Sequence, residues 1–175
     1  MFKFNSTNLE GLITISPELH KDSRGFFVET YKKSEFYMNG ITQDFLQDNY
    51  SFSVKGVLRG LHYQEDEFAQ GKLVRCVKGE IFDVAVDIRK HSKTYGMWFS
   101  IVLSEDNLMM LYIPVGFAHG FYVLSDEAEV SYKTTREYVP NADKGIIWND
   151  KSIGIKWPSE TPILSEKDKL LPKFM

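Results

Sequence analysis

The chain has 175 residues, 43% of them hydrophobic and 26% charged, a balance that suits one soluble domain over residues 1–175 and excludes an intrinsically disordered chain. A formal net charge of −3 excludes a general nucleic-acid or membrane-surface role, although a local cluster of Arg and Lys still suits a small anionic ligand. The single cysteine excludes an intramolecular disulfide framework and any multi-cysteine metal site.

The N-terminal "MFKFNSTNLEGL" lacks a basic segment followed by an apolar one, so no signal peptide is read there. No apolar run approaches the length of a membrane span, and a cytoplasmic location is the expectation. Short β-patterned runs then follow one another. "LITISP" and "GFFVETY" come first, and "KKSEFYMNG" between them and the next strand suits a short helix ending at Asn39-Gly40. "FLQDNYSFS", "VLRGLHYQ", "KLVRCVKG" and "IFDVAVDIR" continue the series, then "YGMWFSIVLS", "MMLYIPVG", "HGFYVLS" and "AEVSYKTT". "ETPILSEKDKLLP" has room for one or two helical turns near the C-terminus. No repeat, linker or low-complexity tract divides the chain. So many strands at close spacing predict an all-β, double-sheet barrel with short peripheral helices.

Strand alternation assigns faces. Phe82, Val84, Val86 and Ile88 share one face, with Asp83, Ala85 and Asp87 on the other. Lys72 falls with Val74 and Cys76, and Tyr132 with Val130. Faces that mix apolar residues with one polar group suit the lining of a barrel mouth; for Asp83 a solvated face is an equal alternative. Cys76, in a strand-like run, reads as an inert packed thiol.

Of the four histidines, His20 and His91 sit among charged turn residues and read as surface groups. His62 and His119 lie in apolar runs, where each alone is also compatible with a hydrogen-bonded core histidine. "IPVGFAHGF" gives Pro114-x-Gly116-x-x-His119, a turn-plus-strand signature of cupin barrels in which the His points inward. Metal-binding cupins supply two more histidines and a glutamate earlier in the chain, whereas here "LHYQ" holds one His, so no metal site is expected. Without a metal, His62 is the natural base, because imidazole exchanges protons at neutral pH. Tyr132 suits an acid, or else a core Tyr bonded to a carbonyl. Lys72 suits an oxyanion stabiliser, or else a snorkelling surface Lys. Arg24, Arg59 and Lys72 have the chemistry to hold a diphosphate.

Five ordered blocks, "DSRGFFVETY", "FLQDNYSFSVKGVLRGLHYQ", "QGKLVRCVKGEIFDVAVDIRKHSKTYG", "YIPVGFAHGFYVLSDEAEVSYKTT" and "GIIWNDKSIGIKWP", closely resemble the dTDP-4-dehydrorhamnose 3,5-epimerases over residues 10–172. The resemblance implies a cupin-type double-stranded β-helix (jelly roll) and a homodimer that exchanges N-terminal strands. It also implies no metal or organic cofactor, and inversion of C3 and C5 of a dTDP-4-keto-6-deoxy sugar through an enolate on the way to dTDP-L-rhamnose. By matching motif, His62 corresponds to the base, Tyr132 to the acid and Lys72 to the enolate stabiliser. Asp168 corresponds to the carboxylate that orients the histidine, with Asp83 as the fallback and the register of Lys167 and Asp168 open by one. Arg24, Phe27 and Glu29 correspond to ligand contacts, Arg24 donated across the dimer. Gln47 and Asn49 match thymine contacts, Arg59 and His119 diphosphate and sugar contacts, and Tyr138 an aromatic stacked on thymine. Asp143 and Lys167 match two further contact positions. A relative that inverts one centre or shifts the ketone would keep nearly all these motifs. A metal-dependent cupin enzyme and a sugar-nucleotide binding module are the readings of other classes.

Arg59 and His62 have opposite parity along a strand, yet the resemblance puts both at one ligand. Alternation must therefore fail between them, and Gly60 is the expected place.

Overall fold

In the computed structural model, which describes residues 1–174, two antiparallel sheets pack face to face as a jelly roll. One sheet has six strands: β1 (Phe2–Ser6), β2 (Ile13–Pro17), β5 (Gln47–Val54), β7 (Lys72–Lys78), β10 (Met110–Ile113) and β12 (Glu127–Thr134), in the order β1-β2-β10-β7-β12-β5. The other has five, β6 (Leu58–Gln64), β8 (Glu80–Asp87), β9 (Trp98–Ser104), β11 (Phe117–Val123) and β13 (Asp143–Gly145), in the order β13-β6-β11-β8-β9. A separate hairpin pairs β3 (Leu19–Asp22) with β4 (Gly25–Val28). The helices are α1 (Lys33–Met38) and α2 (Glu166–Lys169). Among the described residues no helix is long and apolar enough to cross a membrane.

Strands β1, β3 and β13 lie where no strand was predicted. The first alternates Phe2 and Phe4 with polar residues, and β3 and β13 are short polar strands whose pairing no sequence period announces. Asn39 closes α1, and Gly40 follows at φ +87°, as the C-cap reading requires.

Both sheets are covered on both faces over most of their strands, which explains near-continuous apolar runs such as "IFDVAV"; the outer face of β5 is the exception. Val74, Cys76 and Val130 meet Ile81, Ala85, Leu103 and Phe121 between the sheets. Outside the six-stranded sheet, Leu73, Met110 and Tyr112 pack under Phe36 of α1 and the aromatics of β1. Outside the five-stranded sheet, Val84, Val86 and Ala118 are covered by Ile146, Ile153 and Trp157 of the C-terminal segment. Cys76 is buried, and burial pushes its thiol up to about 12, so it is an inert packing group. Asp83 is fully buried, which corrects the solvated-face alternative.

Candidate active site

Strand β6 carries an extra residue opposite β11. His62 pairs with His119 and Arg59 with Phe121, so three steps on β6 match two on β11. His119 and Phe121 share a face, and the bulge brings Arg59 and His62 onto that same side. Gly60 sits in the bulge at φ +126°, where a side chain is strained, and a Cβ there would lie 2.5 Å from the Gly120 Cα. Gly120 needs its own small size: its Cβ would lie 2.7 Å from the Arg59 carbonyl oxygen. The two glycines let the strands approach closely enough to present two imidazoles side by side.

Each imidazole is backed by a buried carboxylate. His62 Nε2 is 2.6 Å from Asp168 Oδ1, and the Gly60 N–H points to Asp168 Oδ2 at 3.4 Å. Ser165 caps α2 by accepting from the Asp168 N–H at 3.1 Å, which fixes this carboxylate in place. Burial would raise the Asp168 carboxyl, but the hydrogen bond and charge of His62, with the Gly60 and Ser165 contacts, hold it below the usual value. His119 Nε2 is 2.8 Å from Asp83 Oδ1. The fallback assignment of Asp83 is thus corrected: Asp168 is the partner of His62, and Asp83, one strand further into the sheet, reaches His119 instead.

A cavity of about 400 Å³ opens on these groups and is also bordered by Ser51, Arg59, Lys72, Phe121, Tyr132, Leu164 and Lys167. Lys72 projects from β7 with its Nζ 3.4 Å from the His62 carbonyl oxygen. Burial pushes its ammonium down to about 8, against the opposing pull of Asp143 and Asp83. Tyr132 is half-buried, and desolvation raises its hydroxyl, so it holds its proton at neutral pH. Arg59 donates Nε to Ser53 Oγ at 2.9 Å and a terminal nitrogen to the Phe52 carbonyl at 3.0 Å.

A second cavity of about 280 Å³ shares His62, Lys72 and Tyr132 with the first and extends to Gln47, Asn49, Tyr138 and Asp143. Gln47 donates to Asn49 Oδ1 at 2.7 Å and accepts from the Tyr138 N–H at 2.8 Å. The Tyr138 hydroxyl donates to Asp143 Oδ2 at 2.8 Å, and Lys167 Nζ donates to the same oxygen. The tyrosine ring is half-exposed at the rim.

Eleven of the fourteen residues singled out in the sequence as site candidates therefore border one continuous opening. The other three do not. Arg24 lies on the β3–β4 hairpin, paired with Asp22 at 2.6 Å, and Phe27 on the same hairpin is 66% exposed. Glu29 sits 3.9 Å from the N-terminal ammonium. Sequence reasoning missed Ser51, Ser53, Phe121 and Leu164. For the serines a signal was present: they continue the inward parity of Gln47 and Asn49 along β5. Among the described residues no three His, Cys, Asp or Glu side chains converge as metal ligands.

A family model described as dTDP-4-dehydrorhamnose 3,5-epimerase matches residues 6–175. The chain is 54% identical over 171 residues to the dTDP-4-dehydrorhamnose 3,5-epimerase of Methanothermobacter thermautotrophicus, covering 96% of this chain and 92% of that one. The crystal structure of the Bacillus anthracis dTDP-4-dehydrorhamnose 3,5-epimerase with TDP and PPi bound superposes at a TM-score of 0.97, with 43% identity over 99% of this chain and 100% of that one. The Legionella pneumophila dTDP-6-deoxy-D-glucose-3,5-epimerase, solved with dTDP-4-keto-L-rhamnose, gives a TM-score of 0.92 at 44% identity and full coverage of both chains.

Proposed function

The chain belongs to the dTDP-4-dehydrorhamnose 3,5-epimerase family, and from that membership we propose a cofactor-independent reaction at the cavity described above. The protein inverts C3 and C5 of dTDP-4-dehydro-6-deoxy-D-glucose and yields dTDP-4-dehydro-L-rhamnose, in the cytoplasm. The observation that carries the assignment of roles is the His62–Asp168 pair facing the same cavity as Tyr132 and Lys72.

Both reacting carbons flank the C4 ketone, so each proton is acidified by the carbonyl. With Nε2–H donating to Asp168, the free Nδ1 lone pair of His62 takes the proton from carbon. The C–H electrons form a C=C bond to C4, and the carbonyl electrons move to O4 as an enolate. The Lys72 ammonium stabilises that charge in a partly desolvated site. Tyr132 then gives its hydroxyl proton to the opposite face of the carbon while the electrons return to the carbonyl. Tyr132 regains a proton and His62 loses one through solvent, so the cycle is neutral in protons and electrons. The second carbon follows by the same steps.

In this reading Gln47, Asn49 and Tyr138 hold the thymine, with the Tyr138 ring as a stacking surface. Arg59 and His119 meet the diphosphate and sugar, while Asp143 and Lys167 close the rim. Turnover in D2O tests the assignment by mass and NMR analysis of the product. Deuterium at both C3 and C5 is the expected result, and label at only one carbon overturns double inversion.

The protein acts as a homodimer in which the N-terminal hairpin crosses to the partner. Arg24 is 88% exposed by side chain, and Phe26 and Phe27 are 62% and 66% exposed, unusual for aromatics on a free hairpin. Sedimentation tests the dimer, and complementation tests the exchange. Each of Arg24→Ala and His62→Asn inactivates its own homodimer, but mixed dimers regain activity, because one site then carries a native His62 and a native arm. No regained activity in verified mixed dimers overturns the exchange.

A further inference from the structure

Strand β5 reverses the usual amphipathic order. Its outward row is Asp48, which pairs with Lys133, then Tyr50, Phe52 and Val54, which are 61%, 51% and 49% exposed, while the residues turned inward are Gln47, Asn49, Ser51 and Ser53. A barrel strand with a polar inner row and a mostly apolar outer one has a polar occupant to meet inside. Three members of that row already have employment. Gln47 and Asn49 bond each other below Tyr138, and Ser53 holds the Arg59 guanidinium. Ser51 does not. Its Oγ is buried without a hydrogen-bond partner, although the residue borders the larger cavity together with Arg59, His119 and Tyr132.

A buried hydroxyl without a partner is a cost in the free protein. The position of this one along the strand suggests what relieves it. Successive inward residues of a strand stand about 7 Å apart. Ser51 is thus one step beyond Asn49, at the base end, and one step short of Ser53, which anchors Arg59. On the nucleotide-sugar reading above, with the base at Gln47 and Asn49 and the diphosphate and sugar at Arg59 and His119, the phosphates cross that interval. Rotation about the Cα–Cβ bond turns the hydroxyl to the cavity, and a serine makes that rotation with no backbone change.

We propose that Ser51 is a further ligand-binding residue, its hydroxyl donating a hydrogen bond to a phosphate oxygen of the nucleotide diphosphate between Asn49 and Arg59. The inference rests on the nucleotide-sugar reading above and adds to it a residue that the matching motifs did not assign. Being short and neutral, Ser51 supplies direction and Arg59 supplies charge. Its contribution is to ligand binding, with no proton moved.

Calorimetric titration with dTDP of the wild-type protein, Ser51→Ala and Ser51→Thr, alongside thermal unfolding of each free protein, provides the test. Loss of a hydrogen bond to a charged acceptor predicts a Kd for Ser51→Ala raised about tenfold to hundredfold. Ser51→Thr keeps the hydroxyl and binds nearly as well as the wild type. The free Ser51→Ala protein melts no lower than the wild type, because the deleted hydroxyl had no partner to lose. Affinity opposed to stability in this way is something a merely structural serine does not produce. Equal dTDP affinity of wild type and Ser51→Ala overturns the role of Ser51 and leaves the epimerase reading standing. A weaker Kd accompanied by a lower Tm, and not restored in Ser51→Thr, overturns it as well, in favour of a packing role. Failure of the wild-type protein to bind dTDP overturns both readings.

Discussion

His62 and His119 stand opposite each other on neighbouring strands, yet the carboxylates behind them have different origins. Asp83 comes from β8, the other neighbour of β11, and is part of the sheet itself, fully buried. Asp168 arrives 106 residues after His62, on a four-residue helix whose other members, Glu166, Lys167 and Lys169, are exposed. That tail is tied down by a few backbone bonds: Leu58 N–H to Ile163 O at 3.0 Å, Ile163 N–H to Gly56 O at 2.8 Å and Ile147 N–H to Pro172 O at 2.8 Å. One His–Asp pair is therefore woven into the barrel, and the other is completed by an added segment. Stability and chemistry are thereby allotted to different parts of the molecule, and each can be perturbed without the other.

The largest separation is expected at the histidines themselves. His62→Asn removes the proposed base and lowers kcat by about 10²–10⁴-fold, the usual worth of a positioned general base, with dTDP binding retained. His119→Asn acts on KM far more than on kcat, because this imidazole is proposed to meet diphosphate and sugar. Steady-state kinetics with both variants checks the contrast, and equal losses of kcat would show that the two imidazoles share the proton chemistry.

Next come the carboxylates. Asp168→Asn keeps the shape but removes the charge proposed to hold the His62 tautomer, so kcat falls strongly while Tm at neutral pH drops by less than it does at Asp83. Asp83→Ala strands an imidazole beside an empty site inside the sheet, a change on the order of 1–3 kcal/mol. For a chain of this size each kcal/mol is about 2–4 °C in Tm. Calorimetry and kinetics on the pair should therefore give opposite rankings, with Asp168→Asn the worse enzyme and Asp83→Ala the less stable protein. Acid adds a second handle. Because Asp168 is held below the usual carboxylate value, its contribution is present above about pH 4 and is lost as pH falls through the folded-state value. Asp168→Asn should flatten the acid side of the Tm profile.

The same division decides what was legible in the sequence. Residues whose side chains follow strand parity, such as Lys72 with Val74 and Tyr132 with Val130, announce their faces directly. The Gly60 bulge was legible only because two residues of opposite parity had to meet one ligand, and the register of β6 against β11 supplies the missing step. The partnership of Asp168 with His62 has no local period at all; motif resemblance placed it, and only the path of the tail shows that Asp83 is engaged elsewhere. Strand β5 is legible as a strand, but its inverted faces are not, because alternation alone does not say which parity points inward. The hairpin carrying Arg24, Phe27 and Glu29 is the converse case: its motif is plain, but a single chain holds it away from the cavity.

Lys72 stands between the two pairs, bonded to the His62 carbonyl and drawn by the charge of Asp83, and gives the smallest but most diagnostic effect. Burial brings its folded-state value down to about 8, whereas an unfolded lysine titrates near about 10.4. Between those two values the unfolded chain binds more protons than the native one, so this group makes stability rise with pH across that window. Activity runs the other way. In the proposed mechanism the enolate needs the ammonium, so kcat falls as pH climbs through about 8. A desolvated, half-buried lysine thus predicts an enzyme that loses rate while this residue's penalty on folding is being relieved. The ion-paired Lys33, Lys78 and Lys167, whose values are raised, lose their stabilising contribution only at higher pH. Lys72→Met isolates the effect: the difference in Tm between wild type and variant should shift by a few degrees between pH 7.5 and pH 10, in favour of the wild type as pH rises. A pH-independent difference, together with a wild-type kcat that stays level past pH 9, would place Lys72 in water and remove it from the enolate site.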